Sequence, residues 1–407
     1  MRILLCSGLY PPHVMGGAER SVHLLAGDLA ARGHAVRVLT TAPYAGKSSL
    51  WGTVAHEHRV LVDRFYPANA YHLPEFREHG PVVRSLWQLV DLWNPHVWFK
   101  TLWIIRTWRP DVVHIHHLAG LSAAPATAAS QAGVPLVATL HDHALFCVYG
   151  ILRRPDGSMC PDPCGRCVAM QAANRCLTAG VRSVVGPSAY IVDQHRRRRF
   201  FKRAAEHVIP NGIKDVPPSV PTPRRRSGMG LHAVFIGQLA EYKGVHILLQ
   251  ALRLLQDPDV RISIAGDGPL LDQCRRSAAC DGRLQVLGRI DATERTHLLQ
   301  SADVLVLPSI CPECLPTVIA EAQMVGLPVI ATRLGGILEM VEQGTNGLLV
   351  EPGNAALLAG ALQCLNVNVA LWKHCAQGAQ GSARRYDFNH FVTEIEVVYA
   401  EAIRGGP

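Results

Sequence analysis

Two acidic residues, Glu313 and Glu321, stand eight positions apart in the segment PSICPECLPTVIAEAQMVGLPVIAT, residues 308–332. Pro316 suits the first turn of a helix, and Gly326 suits its C-terminal cap. Glu313 is therefore predicted in the loop before the helix and Glu321 inside it. Because a helix start also attracts anions, this segment could bracket a ligand with hydroxyls at both ends and phosphate between, such as a nucleotide sugar. The alternative is a surface helix with two solvated acids.

Glycine turns follow the first strand of each half of the chain. Gly16 and Gly17 precede a helix predicted from Ala18 to Arg32, and paired glycines let the backbone approach a phosphate closely. A plain turn explains these glycines equally well. In VFIGQLAEYKG, Lys243 could provide a point charge for a diphosphate and Gln238 a hydrogen bond nearby.

The elements that must position these residues are short apolar runs alternating with helical stretches, which predicts parallel α/β structure. We expect two doubly wound, Rossmann-like domains facing across a cleft, where ligands bind at the carboxyl ends of strands. The predicted parts are a first domain (1–210), a proline-rich linker (211–228), a second domain (229–385) and a C-terminal segment (386–407) whose helix could pack across either domain. The strand candidates are RILLC, AVRVL, DVVHI, PLVATL and RSVVG, then HAVFI, VRISIA, LQVLG, DVLVL, LPVIA and GLLV.

Bulk properties favour a cytoplasmic protein, because the 407 residues contain neither a signal-peptide pattern nor a run long enough to span a membrane. The formal net charge of +8 is partly clustered in HRRRRFFKR, residues 195–203, and in Arg224, Arg225 and Arg226. Such runs can bind nucleic acid or anionic lipid, but they are more often solvated. Because no nucleic-acid-binding motif is recognised, no nucleic-acid partner is predicted.

A cysteine-rich insertion near residues 147–176 follows the strand PLVATL. Its spacing, C-x12-C-x3-C-x2-C, suits a tetrahedral thiolate site, most simply structural zinc. An iron–sulfur cluster is a less favoured alternative, and four reduced thiols in a loop are the other reading. The candidate metal ligands are Cys147, Cys160, Cys164 and Cys167.

Five of the seven tryptophans fall within residues 86–108. Core helices of the first domain would explain them. Alternatively, aromatic side chains with interspersed charge mark a membrane interface, which would allow peripheral contact with a lipid-linked acceptor at the inner membrane face. The five residues are Trp87, Trp93, Trp98, Trp103 and Trp108.

Taken in order along the whole chain, these motifs resemble those of the retaining glycosyltransferases of family 4, which have the two-domain GT-B fold. The most specific motif is the Glu313-x7-Glu321 block with its flanks. The resemblance also includes the GG loop, GHAVRVLT, DVVHIH, IPNGI, IGQLAEYKG, IAGDGP and LGRI. It implies an enzyme that transfers a hexosyl group from a nucleotide-diphosphate sugar of the UDP or GDP type. The resemblance also implies that the anomeric configuration is retained and that no cofactor is required. Polysaccharide, glycolipid or glycosylated-metabolite biosynthesis is the implied context.

The same resemblance implies residue roles. Glu321 would hold the ribose hydroxyls, Glu313 the hydroxyls of the donor sugar, and Lys243 the diphosphate. His141 matches a histidine near the sugar and its leaving phosphate. Backbone groups complete the implied donor site, at Gly16 and Gly17 for the diphosphate, Arg289 and Ile290 for the base, and Cys314, Leu315, Pro316 and Thr317 for the sugar.

One position departs from the family pattern. The family usually pairs the lysine with an arginine, but this chain has Gln238 there, which supplies neither a fixed charge nor a forked donor set. A neighbouring arginine could compensate. The departure keeps open the alternative of a degenerate or regulatory nucleotide-sugar-binding protein. A nucleotide-sugar epimerase on the same fold is the other alternative.

Overall fold

The computed structural model describes residues 1–154, 158–160, 162–214 and 230–405. Contacts divide the chain into two compact units. The first comprises Met1–Ile151, Pro161–Pro210 and Asn389–Pro407, and the second comprises Leu152–Cys160 and Asn211–Phe388. Most of the predicted linker, residues 215–228, lies outside the described residues, as do residues 155–157 and 161 of the cysteine-rich insertion.

The first unit is built on an eight-stranded sheet in the order β3-β4-β2-β1-β5-β6-β7-β8. All neighbours pair in parallel except the antiparallel edge pair of β3 and β4. The central strands are apolar on both faces, as burial under helices on each side requires. The strands are β1 (Arg2–Cys6), β2 (Ala35–Thr41), β3 (Thr53–Glu57), β4 (Val60–Phe65), β5 (Val112–Ile115), β6 (Leu136–Thr139), β7 (Ser183–Gly186) and β8 (Ala205–Val208).

Helices connect these strands. The helix predicted from Ala18 to Arg32 runs from Gly17 to Ala31, and Gly33 beyond it has φ +89°, the left-handed conformation expected of a helix-terminating glycine. The helices of this unit are α1 (Gly17–Ala31), α2 (Ser48–Trp51), α3 (Pro81–Val90), α4 (Pro95–Trp108), α5 (Ala124–Gln131), α6 (Gly165–Leu177) and α7 (Ala189–Arg197), with a 3₁₀ helix at Leu73–Arg77.

The second unit is built on a six-stranded parallel sheet in the order β11-β10-β9-β12-β13-β14. Alternate residues of its strands pack into two cores, with Phe235 and Val306 in one core and Val234 and Leu305 in the other. The strands are β9 (His232–Ile236), β10 (Arg261–Ala265), β11 (Leu284–Gly288), β12 (Val304–Leu307), β13 (Val329–Thr332) and β14 (Gly347–Val350). The fold class predicted from the sequence, two α/β domains with parallel sheets, is thus confirmed.

The helices of the second unit cover both faces of its sheet. They are α8 (Val245–Leu254), α9 (Leu271–Cys280), α10 (Ala292–Ser301), α11 (Thr317–Met324), α12 (Ile337–Met340), α13 (Ala355–Val367) and α14 (Val369–Ser382), with 3₁₀ helices at Glu241–Lys243 and Ala383–Tyr386.

The last helix, α15 (Phe388–Arg404), lies within the predicted C-terminal segment, and its residues from Asn389 onward belong to the first unit. Glu396 accepts one hydrogen bond from Arg32 at 2.8 Å, and its other oxygen lies 2.7 Å from the His34 ring. The hydroxyl of Tyr399 lies 2.7 Å from Nδ1 of the buried His114. These contacts bind the C-terminal helix to the α1–β2 turn and to β5.

Over the ranges described, no single helix combines the length and apolarity needed to cross a membrane. One consecutive pair, Ala355–Val367 with Val369–Tyr386, reaches those limits jointly and is bent by 99°.

Candidate functional site

Glu313 lies in the loop between β12 and α11, where the sequence predicted it. The hydroxyl of Ser309 donates to its Oε1 at 2.6 Å, and Thr332 in turn donates to the Ser309 carbonyl at 2.6 Å. The backbone carbonyl of Glu313 accepts from the Gly336 amide at 2.7 Å. Gly335, at φ +57°, fits only without a side chain, because a Cβ there would lie 2.5 Å from the same carbonyl. The GG turn therefore fixes the loop that carries Glu313.

Lys243 ends the 3₁₀ turn between β9 and α8, and its ammonium contacts Glu313. Nζ donates to Oε1 at 2.7 Å and to Oε2 at 2.9 Å. The approach depends on Gly244, whose φ is +73° and where a Cβ would lie 1.8 Å from the carbonyl oxygen of Pro308. Burial opposes the charge of Lys243, but the attraction and hydrogen bonding of Glu313, together with smaller contributions from Tyr242 and Cys311, outweigh burial and raise the pKa of Lys243. Lys243 is therefore held as a cation beside the Glu313 carboxyl group.

Gln238 lies in the same turn but does not join the ion pair. Its Oε1 accepts a short hydrogen bond from the Tyr242 hydroxyl. The backbone carbonyl of Tyr242 accepts from the Ile310 amide at 2.9 Å, which ties the turn to the loop before α11. Gln238 thus contributes a neutral contact within the turn.

Glu321 lies inside α11, as predicted, and only 6% of its surface is exposed. Its Oε2 is 3.0 Å from Nε of Arg295 on α10, so the carboxylate is held in an ion pair. Sequence reasoning missed Arg295, because nothing in the sequence indicates that the inner face of α10 meets the middle of α11. A ribose bound by Glu321 would share the carboxylate with this guanidinium.

The remaining donor-side residues predicted in the second unit lie at two strand ends. Arg289 and Ile290 follow β11; Arg289 is exposed, and Ile290 packs partly against the core. The second group leads into α11. The helix begins at Thr317, so Pro316 is the residue before the first helical position and not part of the first turn, where the sequence predicted it. Cys314 and Pro316 are buried there, and Leu315 and Thr317 are half-buried.

In the first unit, Gly16 precedes α1 and Gly17 is its first residue. The Gly16 amide donates to Oε2 of the buried Glu19 at 2.9 Å. The start of α1 therefore already carries a carboxylate from its own first turn. A phosphate oxygen at the Gly16 amide would have to replace it.

His141 follows β6 and belongs to a cluster of histidines at the carboxyl ends of β5 and β6. Its Nε2 lies 3.1 Å from Nδ1 of His116. Burial, followed by the neighbouring His117, lowers the pKa of His141 to about 4. Burial also opposes the charge of His117, but Asp142, 3.0 Å away, outweighs it and raises the pKa of His117 to about 9. At neutral pH His141 is therefore neutral and His117 is charged.

The four candidate metal ligands are all described, and two of them are close together. The sulfurs of Cys164 and Cys167 are 3.6 Å apart. A Zn–S distance of 2.3 Å requires an S–S separation of about 3.8 Å in a tetrahedron, so this pair fits half of a zinc site. Across the residues that the structure describes, however, no group of three or more His, Cys, Asp or Glu side chains is gathered for a metal. Cys147 belongs to the first unit with this pair, whereas Cys160 belongs to the second. The zinc site stays a prediction.

The chain matches known protein families and full-length relatives. The model of the family "Glycosyl transferases group 1" matches residues 230–367, and that of the "Glycosyl transferase 4-like domain" matches residues 16–212. Glycogen synthase from Mycobacterium tuberculosis is 32% identical over 424 residues, which cover 100% of this chain and 96% of that protein. The phosphatidyl-myo-inositol mannosyltransferase of Mycobacterium leprae is 27% identical, with coverages of 100% and 98%.

Solved structures show the same fold. Anabaena HepE, crystallised with UDP, superposes with a TM-score of 0.72 at 22% identity, covering 98% of this chain and 100% of that one. Sucrose-phosphate synthase from Thermosynechococcus elongatus reaches a TM-score of 0.76 at 18% identity, with both chains fully covered. At these identities the likeness is one of fold, and it confirms the predicted GT-B class. From the family matches and the full-length relative, we conclude that the chain belongs to the group 1 glycosyltransferases and, as predicted, is a nucleotide-sugar-dependent glycosyltransferase.

Proposed function

We propose that the protein is a retaining hexosyltransferase that uses a UDP- or GDP-linked sugar in the biosynthesis of a polysaccharide, glycolipid or glycosylated metabolite. The observation that carries the proposal is the Lys243–Glu313 ion pair beside α11, with Glu321 held further along the same helix. It gathers a cation for a diphosphate and two carboxylates for hydroxyl groups in one unit. HepE, a protein of the same fold, was solved with UDP and with UDP-glucose, which supports a donor of this kind.

The proposed reaction breaks the bond between the sugar C1 and the diphosphate oxygen. The departing diphosphate gains negative charge, which the ammonium of Lys243 stabilises, while the sugar becomes oxocarbenium-like. The acceptor hydroxyl attacks C1 from the face that the diphosphate leaves, and its proton passes to a phosphate oxygen. Retention then requires no protein nucleophile.

The other site residues serve recognition in this proposal. Glu313, fixed by Ser309 and Lys243, accepts hydrogen bonds from sugar hydroxyls, and Glu321 accepts them from the ribose. His141, neutral at neutral pH, exchanges a hydrogen bond with the sugar near its leaving phosphate. The base meets the backbone of Arg289 and Ile290.

The stereochemical claim is tested by following slow donor hydrolysis by proton NMR. With UDP-α-glucose, UDP-α-galactose and GDP-α-mannose, retention predicts that the free sugar appears first as its α anomer. Initial release of the β anomer would refute retention. Lys243→Met serves as the control, in which release is expected to fall to the uncatalysed rate.

The same spectra address the two alternatives. A nucleotide-sugar epimerase would convert one intact donor into its epimer, without free sugar. A degenerate binding protein would bind a donor, seen as broadening of its resonances, and leave it unchanged over days.

A lipid-linked acceptor at the inner face of the cytoplasmic membrane is part of the proposal, and α3 supports it. Val82, Leu86 and Leu89 recur at helical spacing on this helix and are 74%, 57% and 69% exposed. Trp93 just beyond it is 39% exposed, whereas Trp87 is buried. An outward apolar stripe of this kind suits the boundary between lipid headgroups and acyl chains.

The basic run contributes less than its sequence implies, because Arg196 is paired with Glu206 and Asp193. Flotation with phosphatidylglycerol vesicles tests the membrane proposal. We expect binding by the native protein and its loss in Leu86→Asp/Leu89→Asp. Equal recovery of both proteins in the bottom fraction would refute it.

A structural zinc ion held by the cysteine-rich insertion remains a separate proposal, supported by the sulfur pair of Cys164 and Cys167. Elemental analysis of the purified protein, beside a Cys164→Ser/Cys167→Ser variant, tests it. One zinc per native chain and none in the variant would support it, and the absence of both zinc and iron from the native protein would refute it.

A further inference from the structure

The Lys243–Glu313 pair and Gln238 provide too little positive charge to balance a diphosphate at the proposed position. Lys243 is bound through both oxygens of Glu313, so the pair has no net charge. Gln238, whose amide oxygen is engaged by Tyr242, is neutral. A nucleoside diphosphate carries two to three negative charges near neutral pH, and burying them without further cations is unfavourable. The proposed donor site therefore needs a second cation beside Lys243.

The hairpin in the cysteine-rich insertion carries an arginine to this part of the second unit. Leu152–Cys160 is grouped with the second unit, although the sequence on both sides of it belongs to the first. Its two arms pair through the bridge between Arg153 and Met159 and a 2.9 Å bond from the Cys160 amide to the Leu152 carbonyl. Nη1 of Arg153 donates to the Ile310 carbonyl at 3.0 Å. The guanidinium is therefore anchored on the loop that leads from β12 to Glu313.

One hydrogen-bonded path and one shared electrostatic effect relate this guanidinium to the ion pair. Ile310, which accepts from Arg153, donates its own amide to Tyr242, the neighbour of Lys243. The next residue, Cys311, has a buried thiol whose pKa is raised to about 12, chiefly by burial and then by Glu313, while Lys243 and Arg153 act on it in the opposite direction. Both cations thus lie within electrostatic reach of one sulfur atom.

We propose that Arg153 is a diphosphate-binding residue, which supplies from the insertion hairpin the second cation that position 238 lacks. A guanidinium suits this task, because its planar fork can donate to two phosphate oxygens while another N–H holds the Ile310 carbonyl. The inference rests on the proposed donor site and identifies an additional residue of it. It also gives the hairpin a role that does not depend on a metal.

The test measures binding of UDP and UMP by calorimetry to the native protein, Arg153→Ala and Arg154→Ala. Arg154 is the matched control, because it is exposed on the same hairpin and its removal changes the net charge equally. We expect Arg153→Ala to weaken UDP binding roughly 10- to 100-fold, the effect of losing a charged hydrogen bond. Binding of UMP, which lacks the β-phosphate, should change much less, and Arg154→Ala should bind both like the native protein.

The second part of the test asks whether a new arginine restores the lost UDP affinity. Gln238→Arg in the Arg153→Ala background restores a guanidinium beside Tyr242 and should recover most of the UDP affinity. Thermal unfolding of each variant verifies that it is folded, and Arg153→Lys, which keeps the charge, should retain intermediate affinity.

Several outcomes would overturn the inference. These are native-like UDP binding by Arg153→Ala, equal losses in the two alanine variants, or equal losses of UDP and UMP, which would indicate a structural role. Failure of the native protein to bind UDP, GDP or ADP would instead remove the proposed donor site, and the inference with it.

Discussion

The Lys243–Glu313 pair allows stability and ligand binding to be separated by mutation. The side chains of Lys243 and Glu313 are 21% and 13% exposed, so the pair is neither a surface ion pair nor a fully buried one. Removing one partner of a buried pair costs ~3–5 kcal/mol, whereas exposed pairs contribute less than ~1 kcal/mol. For Lys243→Met we expect an intermediate loss of about 2 kcal/mol, since Ser309 still donates to the carboxylate that remains.

The double variant Lys243→Met/Glu313→Gln removes both charges, and the Ser309 hydroxyl can still donate to the amide oxygen of the new glutamine. We expect it to regain ~1 kcal/mol relative to the sum of the single variants. UDP binding should not recover, because the cation that faces the diphosphate is still missing. Because the chain contains two units, unfolding in urea is best followed by hydrogen exchange in peptides covering β9 and β12, which report on the second unit alone.

Two results would refute this reasoning. Additive losses in the double variant would show that the 2.7 Å contact contributes no coupling free energy. Native UDP affinity in Lys243→Met would show that this ammonium does not face the diphosphate.

Two further predictions concern stability. Gly244→Ala should lower the free energy of unfolding of the second unit by more than ~2 kcal/mol, because the new Cβ would clash with the Pro308 carbonyl. Gly353→Ala is the control, because Gly353 also has a positive φ but has open space around it. This control should lower the free energy of unfolding by only about 1 kcal/mol in the same denaturation assay. For buried His114, burial followed by His141 lowers the pKa to about 3. The unfolded chain therefore binds a proton below pH 6.5 that the folded protein does not, so the stability contributed by neutral His114 is complete above pH 6.5 and is lost as the pH falls towards 3. Acid titration of unfolding should show a shallower loss in His114→Gln, and an equally steep one would contradict the assignment.

The sequence predicted the parallel strands well because those strands are buried on both faces and read as continuous apolar runs. It missed β3, which is largely exposed, and its partner β4, where Asp63 and Arg64 interrupt the apolar run. The turn between these two strands is also unusual. The two-residue turn at His58 and Arg59 has φ of 45° and 72°, conformations normally signalled by Asn-Gly or Gly. The surrounding fold imposes this turn, so no turn residue marks it. The short β8 was missed for a similar reason, since it is largely exposed.

For the candidate site, local sequence predicted which element each residue occupies but not which residues meet. The loop position of Glu313 and the helical position of Glu321 follow from Pro316 and Gly326. The Lys243 contact of Glu313 joins residues 70 positions apart, and Glu321 meets Arg295 on another helix, α10. No periodicity or spacing in the sequence encodes such contacts.

The sequence also did not predict that the insertion hairpin belongs to the second unit, because this placement too depends on contacts between distant residues. Its sequence continues the first domain on both sides, so chain order alone predicted residues 1–210 as one block. The contact of Arg153 with Ile310 joins residues 157 positions apart. Only the packing of the folded chain shows that this guanidinium lies beside the loop of Glu313.

Calorimetric titration with UDP, GDP and ADP, run in parallel on the native protein and Glu321→Ala, would show directly whether a nucleoside diphosphate binds at α11. We expect one diphosphate to bind specifically and its affinity to fall at least tenfold in Glu321→Ala. Inorganic pyrophosphate should compete equally well for both proteins. Absence of binding by all three diphosphates, or unchanged affinity in Glu321→Ala, would contradict a nucleotide-sugar site at this helix.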